Sequence, residues 1–335
     1  MVLRAQAPIG EAPLRLEETP TPEPAAGEIL VRVSACGVCR TDLHVVEGDL
    51  PLERSPLIPG HQVVGRVERA GAGAARFALG ARVGIAWLRE TCHTCALCRS
   101  GRENLCARAR FTGYHADGGY AGWAIVPEAF AYRIPEVFTD VEAAPLLCAG
   151  IIGYRALRLA EVREGGRLGI YGFGSSAHVT LQVARARGME VYVSTREPTH
   201  RELARALGAT WAGGLAEPMP CPMDGSILFA PVGDLVPKAL RDLERGGTLA
   251  LAGIYMTPVP QLDYAADLFH ERRLRSVTAN TRADGEELLD IAARVPIRPT
   301  TTTFPLEEAN LALAGLRRGD LRGTGVLVID GAPAV

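Results

Sequence analysis

The chain has 335 residues, of which 47% are hydrophobic and 22% charged, and its formal net charge is −2. At roughly 100–200 residues per domain this length predicts two domains, and a near-neutral charge without a long basic run argues against a nucleic-acid-binding protein. No apolar run reaches the roughly 18 residues that span a bilayer, and the first residues lack the apolar core of a signal peptide, so the predicted location is the cytoplasm.

The first predicted strand leads directly into a group of reactive side chains. Apolar Ile29, Val31 and Val33 alternate with their neighbours, as in a strand. The segment 39–44, Cys-Arg-Thr-Asp-Leu-His, comes next, and it places a thiol, a hydroxyl, a carboxylate and an imidazole within six residues. The reactive residues therefore lie where a strand ends and a turn or helix begins.

Zinc is the metal that this segment suggests. A catalytic zinc uses thiolate and neutral imidazole ligands and keeps one coordination position open. Cys39 alone cannot hold it, and the sequence offers His61, in Pro-Gly-His-Gln, and Cys148, in Leu-Leu-Cys-Ala-Gly. Because sequence does not show proximity, two core thiols and a hydrogen-bonded core histidine remain an equal alternative from the residues alone.

A second metal site is predicted by Cys92, Cys95, Cys98 and Cys106, which lie within 15 residues of one another. Four thiolates in one loop can close a tetrahedral zinc site with no open position, which is typical of a structural metal. The alternative, a disulfide-bonded or reactive cluster, is disfavoured because cytosolic disulfides are rare.

Two cysteines would then be left over. Cys36 and Cys221 are expected to be buried, free and unreactive.

The pattern of elements changes near residue 150. Before it, short strands at 63–67 and 81–85, separated by Gly/Ala turns, predict a small barrel or sandwich. After it, strands alternate with helices, which implies right-handed βαβ units and a parallel sheet. The predicted strands are 168–171, 191–193, 227–229 and 249–251, and the predicted helices are 175–187, 201–207 and 236–243. The chain ends with a predicted helix through residue 316 and a last predicted strand at 326–329. That strand could return to the first domain.

A dinucleotide-binding fingerprint lies between the strand at 168–171 and the following helix. Gly172 permits the tight turn, Gly174 lets a pyrophosphate approach the backbone, and Ala177 is small enough for helix–strand packing. Ser175 opens the helix, where free N–H groups favour phosphate. A lone GxGxxA is weak evidence, and an ordinary glycine turn is the alternative, but the surrounding strand and helix favour a nucleotide site.

Taken together, these motifs resemble the zinc-dependent alcohol dehydrogenases of the medium-chain dehydrogenase/reductase superfamily. The resemblance covers nearly the whole chain. It rests on residues 39–44, Gly60-His61, the four cysteines, Gly113-Tyr114, Gly118-Gly119-Tyr120, Cys148-Ala149-Gly150 and the Gly172 fingerprint. It implies a GroES-like β-barrel domain joined to a Rossmann domain with a doubly wound parallel sheet, and an active site in the cleft between them.

The resemblance also implies a domain arrangement. Residues 1–150 would form the first part of the catalytic domain, with the four-cysteine zinc lobe at 92–106. Residues 151–289 would form the cofactor-binding domain, and 290–335 would return to the catalytic domain. Two zinc ions per chain are expected from the two metal sites.

The resemblance implies that Cys39, His61 and Cys148 hold the catalytic zinc. Asp42 would orient His61, as metal-bound imidazoles usually require. The family often has glutamate after the ligand histidine, and this chain has Gln62. Since two thiolates already cancel the zinc charge, a neutral amide leaves the site less negative than a carboxylate would.

Three further roles are implied by the same resemblance. Thr41 would take the alcohol proton and pass it, through the nicotinamide ribose, to His44 at the surface. Arg40 would lie near the cofactor pyrophosphate. Zinc as a Lewis acid lowers the pKa of a bound hydroxyl, and the nicotinamide ring accepts the hydride.

The residues after the second strand of the cofactor domain favour NADP(H) over NAD(H). An NAD-binding fold carries an acidic residue there for the ribose 2′-OH, whereas this strand ends in Ser-Thr-Arg. Thr195 could donate a hydrogen bond to a 2′-phosphate, Arg196 could bind it bidentately, and His200 or Arg201 could add positive charge. Two alternatives stay open: Glu197 could bind the 2′-OH, and Arg196 could point into solvent.

The substrate is predicted only by class, as a small-molecule alcohol or aldehyde. Trp87, Phe111 and Tyr114 either line an apolar pocket, which favours simple or aromatic alcohols, or belong to the barrel core. A polyol or sugar dehydrogenase is the alternative within the superfamily, and a non-catalytic zinc module is one from another class. A zinc-free quinone or enoyl reductase does not explain the cysteines. We expect a homodimer or homotetramer and no nucleic-acid or membrane partner.

Overall fold

The structure is a computed structural model, which describes residues 1–295 and 297–329. Position 296 and residues 330–335, which belong to the predicted return segment, lie outside the described residues. The chain forms two compact units. Unit 1 contains Met1–Cys148, Ala279–Ala293 and residues from 298 onward, and unit 2 contains Ala149–Thr278 with the short stretch after residue 293. Among the described residues, no helix combines the length and apolar character needed to cross a membrane.

The first part of unit 1 consists of short strands with three short helices. The strands are β1 (Val2–Leu3), β2 (Leu14–Arg15), β3 (Glu28–Gly37), β4 (Gln62–Ala70), β5 (Arg82–Ile85), β6 (Leu88–Glu90), β7 (Arg110–Phe111), β8 (Trp123–Pro127) and β9 (Ala131–Arg133). The helices are α1 (Arg40–Glu47), α2 (Ala96–Arg99) and α3 (Asp140–Ala143). The strands predicted at 29–34 and 63–67 are confirmed inside β3 and β4, and the strand predicted at 81–85 is confirmed as β5, which begins one residue later.

Strand β3 is the centre of this unit. It pairs antiparallel with β4 and with β8, and its apolar residues between Ile29 and Cys36 are buried, whereas Arg32 and Ser34 are half-buried. The register places Gly37, the last residue of β3, opposite Gln62, the first residue of β4. The residues just after β3 and those just before β4 therefore lie at the same end of the sheet.

Unit 2 is a parallel six-stranded sheet with helices between its strands. The strands are β10 (Arg167–Tyr171), β11 (Glu190–Ser194), β12 (Trp211–Gly213), β13 (Met223–Leu228), β14 (Leu243–Leu251) and β15 (Arg273–Ser276), and the helices are α4 (Ala149–Leu159), α5 (Ser175–Ala186), α6 (Pro198–Ala206) and α7 (Leu235–Arg241). The order β12-β11-β10-β13-β14-β15 is that of a doubly wound dinucleotide-binding sheet. The predicted α/β fold class is confirmed.

Two predicted helices have different bounds. The helix predicted at 201–207 begins earlier, at Pro198, since proline is well suited to the first helical position. The helix predicted at 236–243 ends at Arg241, because Leu243 already pairs with Met223 as the first residue of β14.

The last part of the chain returns to unit 1. It contains α8 (Arg282–Arg294), β16 (Thr301–Pro305), α9 (Ala309–Arg318) and β17 (Thr324–Val328). Val326 pairs antiparallel with Gly37, so β17 extends the sheet beside β3, which confirms the predicted return of the last strand. The predicted domain ranges stay a prediction, and the compact units group residues 279–293 with the first part of the chain.

Candidate functional site

Asp42 lies at the centre of a buried hydrogen-bond network in unit 1. The residue is 1% exposed. Its Oδ1 accepts from Nδ1 of His61 at 2.8 Å, and its Oδ2 accepts from the backbone N–H of Cys39 at 2.9 Å and from Oη of Tyr120 at 3.1 Å. Because an ionised carboxylate only accepts, Nδ1 of His61 carries the proton. The ring is thereby oriented with Nε2 pointing the other way.

Cys39, His61 and Cys148 are brought together as one group. Their ligand atoms all lie within 4.8 Å of one another, and the two sulfurs are 3.7 Å apart. The register of β3 and β4 explains why Cys39 and His61 meet, and Leu147, packed against Gly84 of β5, brings Cys148 to them. Nε2 of fully buried His61 has no hydrogen-bond partner in the described part of the chain. An orphaned imidazole nitrogen beside two thiols fits a zinc ion.

The protonation of this group reflects its close packing. The sulfurs of Cys39 and Cys148 share one hydrogen bond. This bond, together with His61, holds the pKa of Cys39 well below its ordinary value, and the same bond and burial raise the pKa of Cys148. Burial lowers the pKa of His61, but the charge and hydrogen bond of Asp42 and the nearby Cys39 raise it to about 10. The group holds protons that a metal ion would displace.

Gln62 and the two remaining cysteines lie outside this ligand group. Gln62 is 1% exposed, and its Oε1 has no hydrogen-bond partner among the described residues. Cys36 is fully buried, as predicted. The prediction that Cys221 is buried is wrong: it is half-buried, and it interacts with Tyr192 of β11 and with Arg167 at the start of β10.

Three aromatic rings stack beside His61. The Trp87 ring meets the His61 ring edge to face, with centroids 5.0 Å apart. Phe111 stacks on Trp87 at 4.8 Å with planes 10° apart, and Tyr114 does so at 6.0 Å with planes 20° apart. All three are half-buried. Since they keep exposed surface, they differ from the closed core of the unit, although Phe111 and Tyr114 also pack against it.

The predicted relay residues lie on α1. Thr41 is buried, and its Oγ1 is 3.7 Å from Sγ of Cys39. His44 lies one turn later, half-buried, with Nδ1 2.7 Å from Oδ2 of Asp49. Arg40, the first residue of α1, is exposed. Sequence reasoning missed Asp49 as the partner of His44 because it lies beyond the helix.

The four cysteines at 92–106 form a second candidate metal group. The ligand atoms of Cys92, Cys95, Cys98 and Cys106 lie within 4.8 Å of one another. Backbone N–H groups donate to the sulfurs, from Cys95 to Cys92 at 3.3 Å and from Cys98 to Cys95 at 3.4 Å. The lobe is inserted between β6 and β7, which pair with each other. This geometry fits four thiolates around one metal ion.

Arg108 is a partner of this group that the sequence did not suggest. Its hydrogen bond to Cys92, together with backbone N–H groups of Cys95 and Thr94, lowers the pKa of Cys92 to about 4. Burial raises the pKa of Cys98 to about 11. One thiol of the group is thus ready to ionise, and the cation beside it opposes the charge that four thiolates would accumulate.

The fingerprint turn in unit 2 has the geometry expected of a phosphate site. Gly172 has φ +84°, in the left-handed region, and a Cβ there would lie 2.9 Å from the backbone nitrogen of Ala230. A Cβ at Gly174 would meet nothing within 4 Å, so the backbone is open to an approaching group. Ser175 begins α5, and Ala177 is fully buried.

The residues after β11 combine a buried threonine with an exposed arginine. Thr195 is buried. The Arg196 side chain is 83% exposed, and its Nε donates to Oε1 of Glu197 at 2.6 Å. Arg196 therefore points into solvent, which is one of the two alternatives that the sequence left open, and its charge is paired with Glu197.

Comparison with known proteins agrees with this geometry. The alcohol dehydrogenase GroES-like domain family matches residues 25–136. The probable alcohol dehydrogenase AdhA of Mycobacterium tuberculosis (strain CDC 1551 / Oshkosh) is 54% identical over 332 residues, 98% of this chain and 96% of its own length.

Two solved structures share the whole fold. A cinnamyl alcohol dehydrogenase from Sorghum bicolor has a TM-score of 0.89 at 28% identity and covers 100% of this chain and 98% of its own. A cobalt- and zinc-bound thermostable alcohol dehydrogenase from Pyrobaculum aerophilum has a TM-score of 0.88 at 26% identity, covering 98% and 99%. The chain therefore belongs to the zinc-type alcohol dehydrogenases of the medium-chain dehydrogenase/reductase superfamily, which interconvert alcohols with aldehydes or ketones using a nicotinamide cofactor.

Proposed function

We propose that this chain is a zinc-dependent alcohol dehydrogenase whose catalytic zinc is held by Cys39, His61 and Cys148. The observation that carries the proposal is Nε2 of His61, which has no hydrogen-bond partner among the described residues, is directed by Asp42, and lies with two thiols within 4.8 Å. A zinc ion there would act as a Lewis acid that lowers the pKa of an alcohol hydroxyl. Three protein ligands would leave one position for substrate.

We propose a second zinc in the four-cysteine lobe, with a structural role. Four sulfurs fill a tetrahedral shell and leave no position for substrate. β6 and β7, of three and two residues, form a separate two-stranded sheet that is too small to be stable by itself. A metal that ties the loop between them would stabilise both.

Thr41 and His44 are the proposed proton relay. Thr41 Oγ1, beside the Cys39 sulfur, would accept the proton that the alcohol hydroxyl loses. His44 would receive it near the surface, with Nδ1–H directed to Asp49 and Nε2 accepting. General acid–base groups of this kind contribute typically about 10²–10⁴-fold to rate.

Unit 2 would bind the nicotinamide cofactor, which accepts or donates the hydride. Gly172 and Gly174 form the turn, and the first turn of α5, from Ser175 to Ala177, would receive the pyrophosphate at the helix N-terminus. Arg40 of unit 1 is the proposed pyrophosphate cation. We propose NADP(H) over NAD(H), because no carboxylate stands at the end of β11 and Thr195 and Arg196 follow it.

We propose simple or ring-bearing alcohols as substrates rather than polyols. The stacked rings of Trp87, Phe111 and Tyr114 offer a flat apolar surface next to His61, and they provide few partners for the many hydroxyls of a polyol. The name of the Sorghum bicolor relative, a cinnamyl alcohol dehydrogenase, agrees with this class.

The test combines metal analysis with turnover. Purified protein should contain two zinc ions per chain and reduce NADP⁺ with benzyl or cinnamyl alcohol more efficiently than with sorbitol. Cys39→Ser should lose one zinc and all turnover, whereas Cys36→Ser, a buried thiol outside the ligand group, should keep both. A protein that holds one zinc or none after gentle purification, or that oxidises sorbitol best, contradicts the proposal. Assembly as a homodimer or homotetramer and location in the cytoplasm stay predictions.

A further inference from the structure

Tyr120 is a fully buried residue that reaches the candidate metal group from a distant segment of unit 1. Its backbone N–H donates to the carbonyl of Pro59 at 3.0 Å, and the backbone N–H of Gly119 donates to the carbonyl of Gly60 at 2.9 Å. These two bonds tie the segment that ends in Tyr120 to the residues directly before His61. The placement of His61 therefore depends on this segment as well as on β4.

The ring of Tyr120 restricts Gly60, the residue that precedes His61. Gly60 has φ +97°, in the left-handed region that favours glycine. A Cβ there would lie 2.3 Å from Cδ1 of Tyr120, so the ring occupies the space that any other side chain would need. The backbone that leads into His61 is thus packed directly against the ring.

The hydroxyl of Tyr120 acts on a different neighbour, Asp42. It donates to Oδ2 of Asp42 at 3.1 Å, an oxygen that also accepts from the backbone N–H of Cys39. The other oxygen, Oδ1, accepts from Nδ1 of His61. Burial, reinforced by the charge of Asp42, raises the pKa of Tyr120 well above its ordinary value, so the phenol keeps its proton and remains a donor.

A donor on one oxygen of a carboxylate changes what the other oxygen can do. A hydrogen bond to the ionised form stabilises the negative charge and makes the group a weaker base. With Tyr120 bound, Asp42 is therefore a weaker acceptor for His61 than it would be otherwise. Because the partner of a metal-bound imidazole raises its basicity, a weaker acceptor leaves His61 a weaker ligand and a bound metal ion a stronger Lewis acid.

We propose that Tyr120 is a positioning residue of the catalytic site, with two separable parts. Its ring holds Gly60, and thereby His61, in place. Its hydroxyl takes up part of the charge of Asp42 and so limits how strongly His61 donates to a zinc ion. The inference rests on the proposed catalytic zinc and assigns a role to a residue outside the ligand group.

The variant Tyr120→Phe removes the hydroxyl and keeps the ring. In the full zinc-loaded chain with isotope-labelled histidine, the Nδ1–H proton of His61 should resonate further downfield than in wild type, because its bond to Asp42 is stronger. Competition with a chromogenic chelator should show the catalytic zinc held at least as tightly. The single-turnover rate of NADP⁺ reduction by benzyl alcohol should fall by about twofold to fivefold, since the coupling runs through one hydrogen bond.

The variant Tyr120→Leu removes the ring as well. The backbone of Gly60 then lacks its support, and the chelator should remove the catalytic zinc about tenfold more readily, as for the loss of a group that orients a metal-bound histidine. The matched control is Tyr171→Phe, since Tyr171 is also fully buried and its hydroxyl donates to Oδ2 of Asp242 at 2.7 Å in unit 2. This control should leave the His61 resonance and both zinc affinities unchanged.

Each contrary outcome has a separate meaning. Wild-type protein that holds no zinc outside the four-cysteine lobe would contradict the proposed function itself. If that zinc is present and the His61 resonance in Tyr120→Phe stays in place or moves upfield, the inference about the hydroxyl is overturned. Weaker zinc binding in Tyr120→Phe would show that the hydroxyl merely supports the fold, and would overturn it as well. Zinc held by Tyr120→Leu as tightly as by wild type would overturn the role of the ring.

Discussion

Replacing Asp42 by asparagine tests the proposed catalytic metal site most directly. The carboxylate accepts from three donors, His61 Nδ1, Cys39 N–H and Tyr120 Oη, whereas an amide has one oxygen for them. If the amide NH₂ faces Cys39 N–H, a buried donor loses its acceptor. If it faces His61, the ring must accept at Nδ1 and carry its proton on Nε2, the nitrogen that would bind zinc.

Either arrangement leads to the same expected loss. Removing a hydrogen bond that orients a metal-bound histidine typically costs about 10–100-fold in metal affinity or activity, and tenfold corresponds to about 1.4 kcal/mol. We expect Asp42→Asn to weaken one zinc of the two by about 10–100-fold, with kcat falling alongside it.

The assay is competition of the purified protein with a chromogenic zinc chelator, in which the four-cysteine zinc acts as an internal reference. Asp284→Asn is the matched control: Asp284 is also 1% exposed, and it accepts from the backbone N–H and hydroxyl of Thr281 at the start of α8. The control should lower stability and leave both zinc affinities unchanged. If Asp42→Asn retains both zinc ions as tightly as wild type, the argument from the tautomer of His61 is wrong.

Four other predictions test the remaining parts of the molecule. Cys92→Ser should lower the free energy of unfolding and affect kcat less, since zinc binding in a closed site contributes to folding. Cys39→Ser should abolish turnover and affect stability less. Thermal melts and steady-state kinetics check both, and a stable but inactive Cys92→Ser would reverse the assigned roles. His44→Gln should depress alcohol oxidation most at low pH and be partly rescued by added buffer base, so an unchanged pH–rate profile would remove His44 from the relay. Burial lowers the pKa of His178 to about 4. Because the imidazole of the unfolded chain takes up a proton near pH 6.5, the free energy of unfolding should fall by up to about 3 kcal/mol between pH 6.5 and 4. Denaturant titrations of His178→Gln should show a smaller fall. Glu103→Gln should speed amide exchange at the start of α8, because its carboxylate accepts from the first backbone N–H of that helix at 3.0 Å; exchange equal to wild type would show that the lobe does not anchor the helix.

Much of the candidate site was predictable because its chemistry is local in sequence. The spacing of Cys92, Cys95, Cys98 and Cys106 allows a single loop to surround one metal ion, whatever the rest of the fold does. The glycine turn at Gly172 was predictable for the same reason, since a left-handed backbone conformation selects glycine directly.

The partners of these residues were not predictable, because each comes from a distant part of the chain. Tyr120 donates to Asp42 from 78 residues away, and Glu103 accepts from Arg282 across 179 residues. Side-chain direction was equally hidden. Arg196 looked like a phosphate-binding residue in sequence, yet it is exposed and paired with Glu197.

By itself, the sequence determined the residue types of the candidate metal groups, the alternation of strands and helices after residue 150, and the glycine turn at Gly172. These depend on backbone preference and on spacing within a few residues, which act at short range. The tertiary structure alone decided that Cys39, His61 and Cys148 form one site. Their meeting depends on which strands pair and in what register, a result of burying apolar faces over the whole unit rather than of any local signal.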